Sequence, residues 1–288
     1  MKDHAYRISQ VVSPFQAILD YERANGIPEG YINATISALS PHGAWQRLER
    51  GEILLDEAYF NQFQAELRSP VNWKAYWAKQ QDKNKQRDAT TALPPVPAID
   101  ARALFWEMMR VSRAPDPYMH PALHKLRASG KFIMAALSNT VIFPVGIKDD
   151  KGVVFSSSLH FTPEQAKLFG SLAASDTGVA MEGTPIGSDI RSVFDTYVSS
   201  AHVGMRKPDP DIYKLAIKQL DEIALQRGKP SITAGDILFL DDIGQNLRTA
   251  KQVGMRTLKV QLGRNIEAVK ELERITGVKL LEDEKARL

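Results

Sequence analysis

Residues Ile237 to Leu258 read ILFLDDIGQNLRTAKQVGMRTL. The apolar run Ile237 to Leu240 is too short for a helix and has no polar face, as a strand buried on both sides requires. It runs directly into Asp241 and Asp242. Gln245 to Val253 then carries a helical pattern closed by Gly254, and Thr257 to Val260 reads as the next strand. Strand, helix and strand in this order predict a parallel sheet with helices on both faces. Ligands of such sheets bind outside the carboxyl ends of the strands. Asp241 and Asp242, with Gly244 and Asn246 behind them, are therefore the first candidates for chemistry. Adjacent carboxylates repel unless a cation or a lysine lies between them. Magnesium suits the place, because it is a hard ion that takes oxygen ligands and binds beside substrate phosphates. The plainer alternative is a charge cluster favoured by the dipole at a helix start.

The same texture extends upstream to about Pro115. His120 to Ser129 reads as a helix ended by Gly130, and Lys131 to Leu137 (KFIMAAL) as a buried strand delivering Ser138, Asn139 and Thr140. A hydroxyl and an amide there can hydrogen-bond an anionic oxygen; a capped turn explains the same tripeptide. Phe194 to Ser199 (FDTYVS) is a further strand, and Asp209-Pro210-Asp211 starts the helix after it. Lys207 stands between these two elements, flanked by Gly204 and Pro208. By itself it reads as a solvated loop charge.

The first third has a different character. Ser13 to Asn25 has Ser13 as N-cap, Pro14 at the first helical position and Gly26 as terminator. Gly43 to Leu67 holds two more helical patterns, and all four tryptophans (Trp45, Trp73, Trp77, Trp106) lie between 45 and 106. Residues Gln80 to Ile99 pass from charged to proline-rich, which predicts a solvated linker or loop rather than core. Residues Pro144 to Ile190 are rich in Gly, Ser, Thr and Asp with little periodicity, which predicts an inserted surface excursion.

Composition limits the function. The 288 residues are 43% hydrophobic and 25% charged, which is globular, and the formal charge of +3 is far from the basic footprint of a nucleic-acid binder. No cysteine is present, so thiolate nucleophiles, Cys-ligated zinc and iron-sulfur clusters are ruled out. No apolar run approaches the ~20 residues of a membrane helix, and Met1 to Gln10 lacks the apolar region of a secretory signal. A cytoplasmic protein without membrane or nucleic-acid partners is expected. GxGxxG, a Walker lysine loop and a Gly-x-Ser-x-Gly elbow are all absent. Among the histidines only His120 and His124, four residues apart, have close metal-ligand spacing, and without a third ligand they read as a helix surface feature.

The strings Ser200 to Ala216 (SAHVGMRKPDPDIYKLA) and Ile237 to Leu258 resemble the third and fourth motifs of the haloacid dehalogenase superfamily, and Ala136 to Thr140 (ALSNT) resembles the second. Trp45 to Ile53 (WQRLERGEI) is similar to the helical cap of the subgroup typified by the N-terminal phosphatase domain of soluble epoxide hydrolases. The resemblance implies a Rossmann-like α/β core, residues 1–14 and 115–288 with the insert 144–190, and a helical cap, residues 15–114. It also implies magnesium-dependent hydrolysis of a small phosphorylated or other anionic substrate through an aspartyl intermediate. Ser138 would then hold the transferring group, with Asn139 flanking it. Lys207 would neutralise charge, Asp242 would ligate the metal directly, and Asp241 would lie behind it or orient Lys207; the two aspartates could exchange roles.

The family's first motif, an Asp-x-Asp ending the first strand, is missing. Before residue 50 the aspartates are Asp3, with two residues ahead of it, and Asp20, within a helical pattern. Alignment on Val11 to Phe15 puts the expected carboxylates near Arg7 and Ser9. Loss of the attacking carboxylate removes both a nucleophile and a metal ligand. The first strand is expected to be short, formed at best from Ala5 to Val12. Negligible phosphatase activity follows; the alternatives are a catalytically silent phosphate-ligand or protein-binding pseudoenzyme, or a chain that begins too late to include the motif.

Overall fold

A computed structural model of the chain describes residues 5–7, 14–84, 93–112, 116–155 and 193–282. It divides into two compact units, one formed by residues 1–12, 113–140 and 157–288, the other by 13–112 and 141–156.

The first unit is built on five strands, β1 (Ala5–Arg7), β2 (Ile133–Ser138), β3 (Thr196–Ser199), β4 (Ile237–Asp241) and β5 (Arg256–Lys259). Every pairing is parallel and the order is β3-β2-β1-β4-β5. The expected α/β class is what the chain adopts. The central strand β1 has only three residues, with Ala5 level with Ile133 on one side and Ile237 on the other. Residues 8–12, the remainder of the expected first strand, lie outside the described residues.

Side chains alternate across a strand, and here both sets are apolar. Ile133, Ala135, Leu137, Ile237 and Phe239 pack with Ile212, Tyr213, Ala216 and Leu220 of the helix Pro210–Gln226. Met134, Leu238 and Leu240 pack with Leu123 and Leu126 of the helix Met119–Ala128 and with Val269 and Leu272 of the helix Asn265–Thr276. The sheet is thus covered on both faces, and the apolar runs without alternation in β2 and β4 are the reason. Asp209 caps the helix Pro210–Gln226 by accepting from Asp211 N at 2.9 Å, with Pro210 in the first turn where no N–H is needed.

The second unit contains the helices Pro14–Ala24, Tyr31–Ala38, Ala44–Glu49, Glu57–Leu67, Pro70–Asn84 and Ala101–Val111. Its core is aromatic. Phe105 is fully buried, with Trp45, Tyr59, Phe60 and Trp106 ring centroids 5.1 to 6.1 Å away. Glu22 is buried in the first of these helices and its carboxylate accepts from Gly30 N at 2.7 Å and Ile32 N at 2.8 Å, satisfying donors at the start of the second helix.

Residues 93–98 are largely exposed and form no regular element, as a solvated loop requires, but the helix Pro70–Asn84 continues into the start of the stretch 80–99, and Ile99 at its end is fully buried. Trp73 Nε1 donates to the Pro94 carbonyl at 2.7 Å and Arg68 Nε to the Ile99 carbonyl at 2.7 Å. A proline-rich strip forms no ladder of its own, so its carbonyls are open to such donors. Residues 144–155, the described part of the expected surface excursion, are mostly exposed, Val145 at 90%, and are tied to the unit at a few points. Lys148 and Val154 form an antiparallel bridge, and Phe155 is buried against Trp106 and Phe143. Asp149 Oδ1 accepts from Lys151 N and Val153 N, while Oδ2 accepts from Arg110 at 2.9 Å. A tight turn with Gly152 at φ +78° carries no periodicity, which is why the sequence pattern looked loose. Residues 156–190 of that excursion lie outside the described residues.

Candidate functional site

In a parallel sheet all carboxyl ends share one edge, so Ser138 of β2, Ser199 of β3 and Asp241 of β4 end at the same side. The loop from Gly204 to Asp209 brings Lys207 to this edge. Gly204 ends the single helical turn Ser200–Val203 at φ +68°, a left-handed conformation that reverses the chain without a Cβ clash.

Lys207 is 7% exposed, and its Nζ donates to Asp241 Oδ2 at 2.7 Å. The other oxygen of Asp241 accepts from Ile243 N at 2.9 Å and Asn246 Nδ2 at 3.0 Å. Asn246 is fixed in turn by its carbonyl, which accepts from Tyr213 Oη at 3.0 Å. Asn139 closes the other side. Its Oδ1 accepts from Lys207 N at 2.8 Å and its Nδ2 donates to Lys207 O at 3.1 Å. The sequence candidates Asn139, Lys207 and Asp241 therefore form one connected group. Ser138 precedes Asn139 with its Oγ 3.3 Å from the Asn139 carbonyl, and Asp242 follows Asp241, half-buried.

A second set of side chains holds the loop after β2. Thr140 N donates to Ser200 Oγ at 2.8 Å, Thr140 Oγ1 lies 2.5 Å from Ser199 Oγ, and Ser199 Oγ lies 2.6 Å from His202 Nδ1. Ser199 and Ser200 are buried polar groups and both find partners. The sequence reading did not single them out. The signal was present, because they stand directly after an apolar strand, as Ser138 and Asp241 do.

The donor set can be tested against magnesium, which demands six oxygen ligands in near-ideal octahedral geometry. Both oxygens of Asp241 are engaged, one of them by an ammonium group. Among the described residues no group of three or more His, Cys, Asp or Glu is placed to hold a metal ion. Asp241 is in place as the counter-charge of Lys207. No helix among the described residues is long and apolar enough to cross a membrane.

No protein-family profile matches the chain. A stretch of 94 residues, 33% of this chain and 15% of the relative, is 38% identical to bifunctional epoxide hydrolase 2 of Sus scrofa. A stretch of 90 residues, 31% of this chain and 7% of the relative, is 39% identical to acyl-CoA dehydrogenase family member 10 of Mus musculus. The matches thus span a small part of these curated relatives. Among solved structures, a predicted HAD-like family hydrolase from Porphyromonas gingivalis is similar with a TM-score of 0.46 and 18% identity, over 95% of this chain and 98% of that one.

Proposed function

We propose that the chain is a haloacid dehalogenase-like hydrolase scaffold of the small-molecule phosphatase type, retaining an anion crevice but not the nucleophile. The helical unit is its cap. The crevice lies at the carboxyl edge of the sheet and takes a phosphorylated or other small anionic ligand. Lys207 Nζ and Ser138 Oγ supply the hydrogen bonds. The helix Gly244–Gln252, whose N-cap Ile243 has no side-chain acceptor, adds its N-terminal dipole. The observation that carries this reading is the Lys207 to Asp241 ion pair held at the strand end by Asn139 and Asn246.

Hydrolysis through an aspartyl intermediate needs a carboxylate that attacks the phosphoryl group while Lys207 balances its charge. After β1 the sequence reads Ile8-Ser9-Gln10, with no carboxylate. Neither Arg7 nor Ser9 can form an aspartyl phosphate. Asp241 is the partner of Lys207, its Oδ2 accepting from Nζ at 2.7 Å, and is thereby engaged in an ion pair rather than free to attack. Binding without turnover is therefore the activity assigned to the crevice, and no step is assigned to magnesium.

The experiment is thermal unfolding of the chain with inorganic phosphate, beside an assay with a generic phosphate monoester and magnesium. Phosphate should raise the midpoint, and Lys207→Met and Ser138→Ala should abolish that rise. Absence of any phosphate effect sinks the crevice. Turnover by the unaltered chain that is lost in Lys207→Ala would overturn the claim of a missing nucleophile and favour an active phosphatase, the reading that the sequence likeness to a bifunctional hydrolase supports.

A further inference from the structure

His120 and His124 belong to the α/β unit but to no part of the crevice. They sit one turn apart on the helix Met119–Ala128, and residues four apart share a face of a helix. Their ring centroids are 4.6 Å apart with planes at 82°. Both residues are half-buried, and Nδ1 of His120 is buried with no hydrogen-bond partner. Buried imidazole nitrogens ordinarily find a partner. Burial, together with His124 beside it, holds the His120 pKa below its ordinary value, so at neutral pH this ring keeps a lone pair to offer.

Asp116, the neighbouring carboxylate on the chain, is committed elsewhere. Its Oδ1 accepts from Tyr118 N at 3.0 Å and Met119 N at 2.7 Å, and its Oδ2 from the Asn265 amide. The two rings are consequently not bound into a local carboxylate network that would fix them in place. We propose that His120 and His124 chelate a borderline divalent transition ion such as Ni2+, Cu2+ or Zn2+, with water filling the remaining positions. Such ions favour imidazole, whereas magnesium favours oxygen. Metal to nitrogen distances of about 2.0–2.1 Å require one nitrogen from each ring to converge on a single point, which side chains one helical turn apart reach by rotation about their side-chain bonds. Two protein ligands make a weaker site than the three or four of a dedicated zinc centre, so the ion would be exchangeable.

The test uses the full chain and the metal alone. Thermal unfolding is followed as NiCl2 and, separately, MgCl2 are added, with far-UV circular dichroism confirming that each variant folds without metal. Binding to the native state raises the midpoint with ion concentration. Ni2+ should stabilise the unaltered chain and Mg2+ should not. His120→Ala and His124→Gln should each weaken the apparent Ni2+ affinity by about tenfold or more, while His42→Ala, at an exposed histidine of the helical unit, should leave it unchanged. If His120→Ala does not fold, His124→Gln decides, because it keeps a helix-compatible side chain of polar character. Ni2+ stabilisation that survives in His124→Gln, or that never appears in the unaltered chain, overturns the proposal.

Discussion

The side-chain amide of Asn139 clamps the main chain of Lys207 at two points, 2.8 Å at the nitrogen and 3.1 Å at the carbonyl. The residue expected beside the ligand thus positions the lysine instead. Asn139→Ala should remove two part-buried hydrogen bonds to the Lys207 main chain, destabilising the α/β unit by about 1–3 kcal/mol. Urea unfolding measures the loss. Phosphate-dependent stabilisation should fall with it, because the clamp that positions the lysine is gone.

The Lys207 to Asp241 pair predicts an asymmetry between breaking and replacing it. Asp241→Ala removes the carboxylate paired with a buried ammonium and should cost about 3–5 kcal/mol, whereas Lys207→Met with Asp241→Leu should recover most of that stability. A double-mutant cycle in urea checks it. A double variant no more stable than Asp241→Ala would mean that the carboxylate matters chiefly to Ile243 N and Asn246 rather than to the lysine.

Asp195 gives the α/β unit a dependence on acid. Burial pushes its carboxyl up, but hydrogen bonds from Arg227, Arg127 and the Met134 amide together outweigh this and hold it below the ordinary value of 3.8. The folded state therefore binds its proton less readily than the unfolded chain does. The stability Asp195 contributes is complete above that ordinary value and disappears as pH falls through the lower folded value. Asp195→Asn should lower stability at neutral pH, by leaving Arg127 and Arg227 without their carboxylate, and should make the acid limb shallower. Unfolding midpoints measured from pH 7 down to acid unfolding test the difference.

In the helical unit, Phe105→Ala removes the ring around which Trp45, Tyr59, Phe60 and Trp106 pack. A cost of about 3–5 kcal/mol follows from lost burial and the cavity left behind. Two of the neighbours are tryptophans, so fluorescence should report the change directly, with a red-shifted emission before the main unfolding transition.

The α/β class and the candidate edge were legible because β2 and β4 are short apolar runs followed at once by polar residues. Ser138, Asn139 and Asp241 could be picked out on that rule, whereas Lys207, in the loop beyond β3, read by itself as a solvated charge and gained its role from the family resemblance. What each side chain touches was not legible. Hydrogen bonds between Asn139 and Lys207 join residues far apart in the chain, and local pattern carries no information about such partners. The same limit hides how the mostly exposed stretch from Pro144 is anchored. Asp149 and Phe155 find their places through Arg110 and Trp106 on a helix some forty residues earlier, and the tight turn between them erases any period. Ser199 and Ser200 were passed over although they obey the strand-end rule, because attention went to the lysine beyond them.

The three-residue β1 has a consequence for how the chain folds. It is the seam of the sheet: β3 and β2 lie on one side, β4 and β5 on the other, and pairs from Ala5 to Arg7 join them. Its partners come from the middle and the last quarter of the chain, so the contacts are of long sequence separation and carry the largest loop-closure cost. The two halves can each assemble from nearby segments first. The order of events would then be two half-sheets forming early and a slow final zippering along β1, so that substitutions weakening the β1 pairs slow refolding.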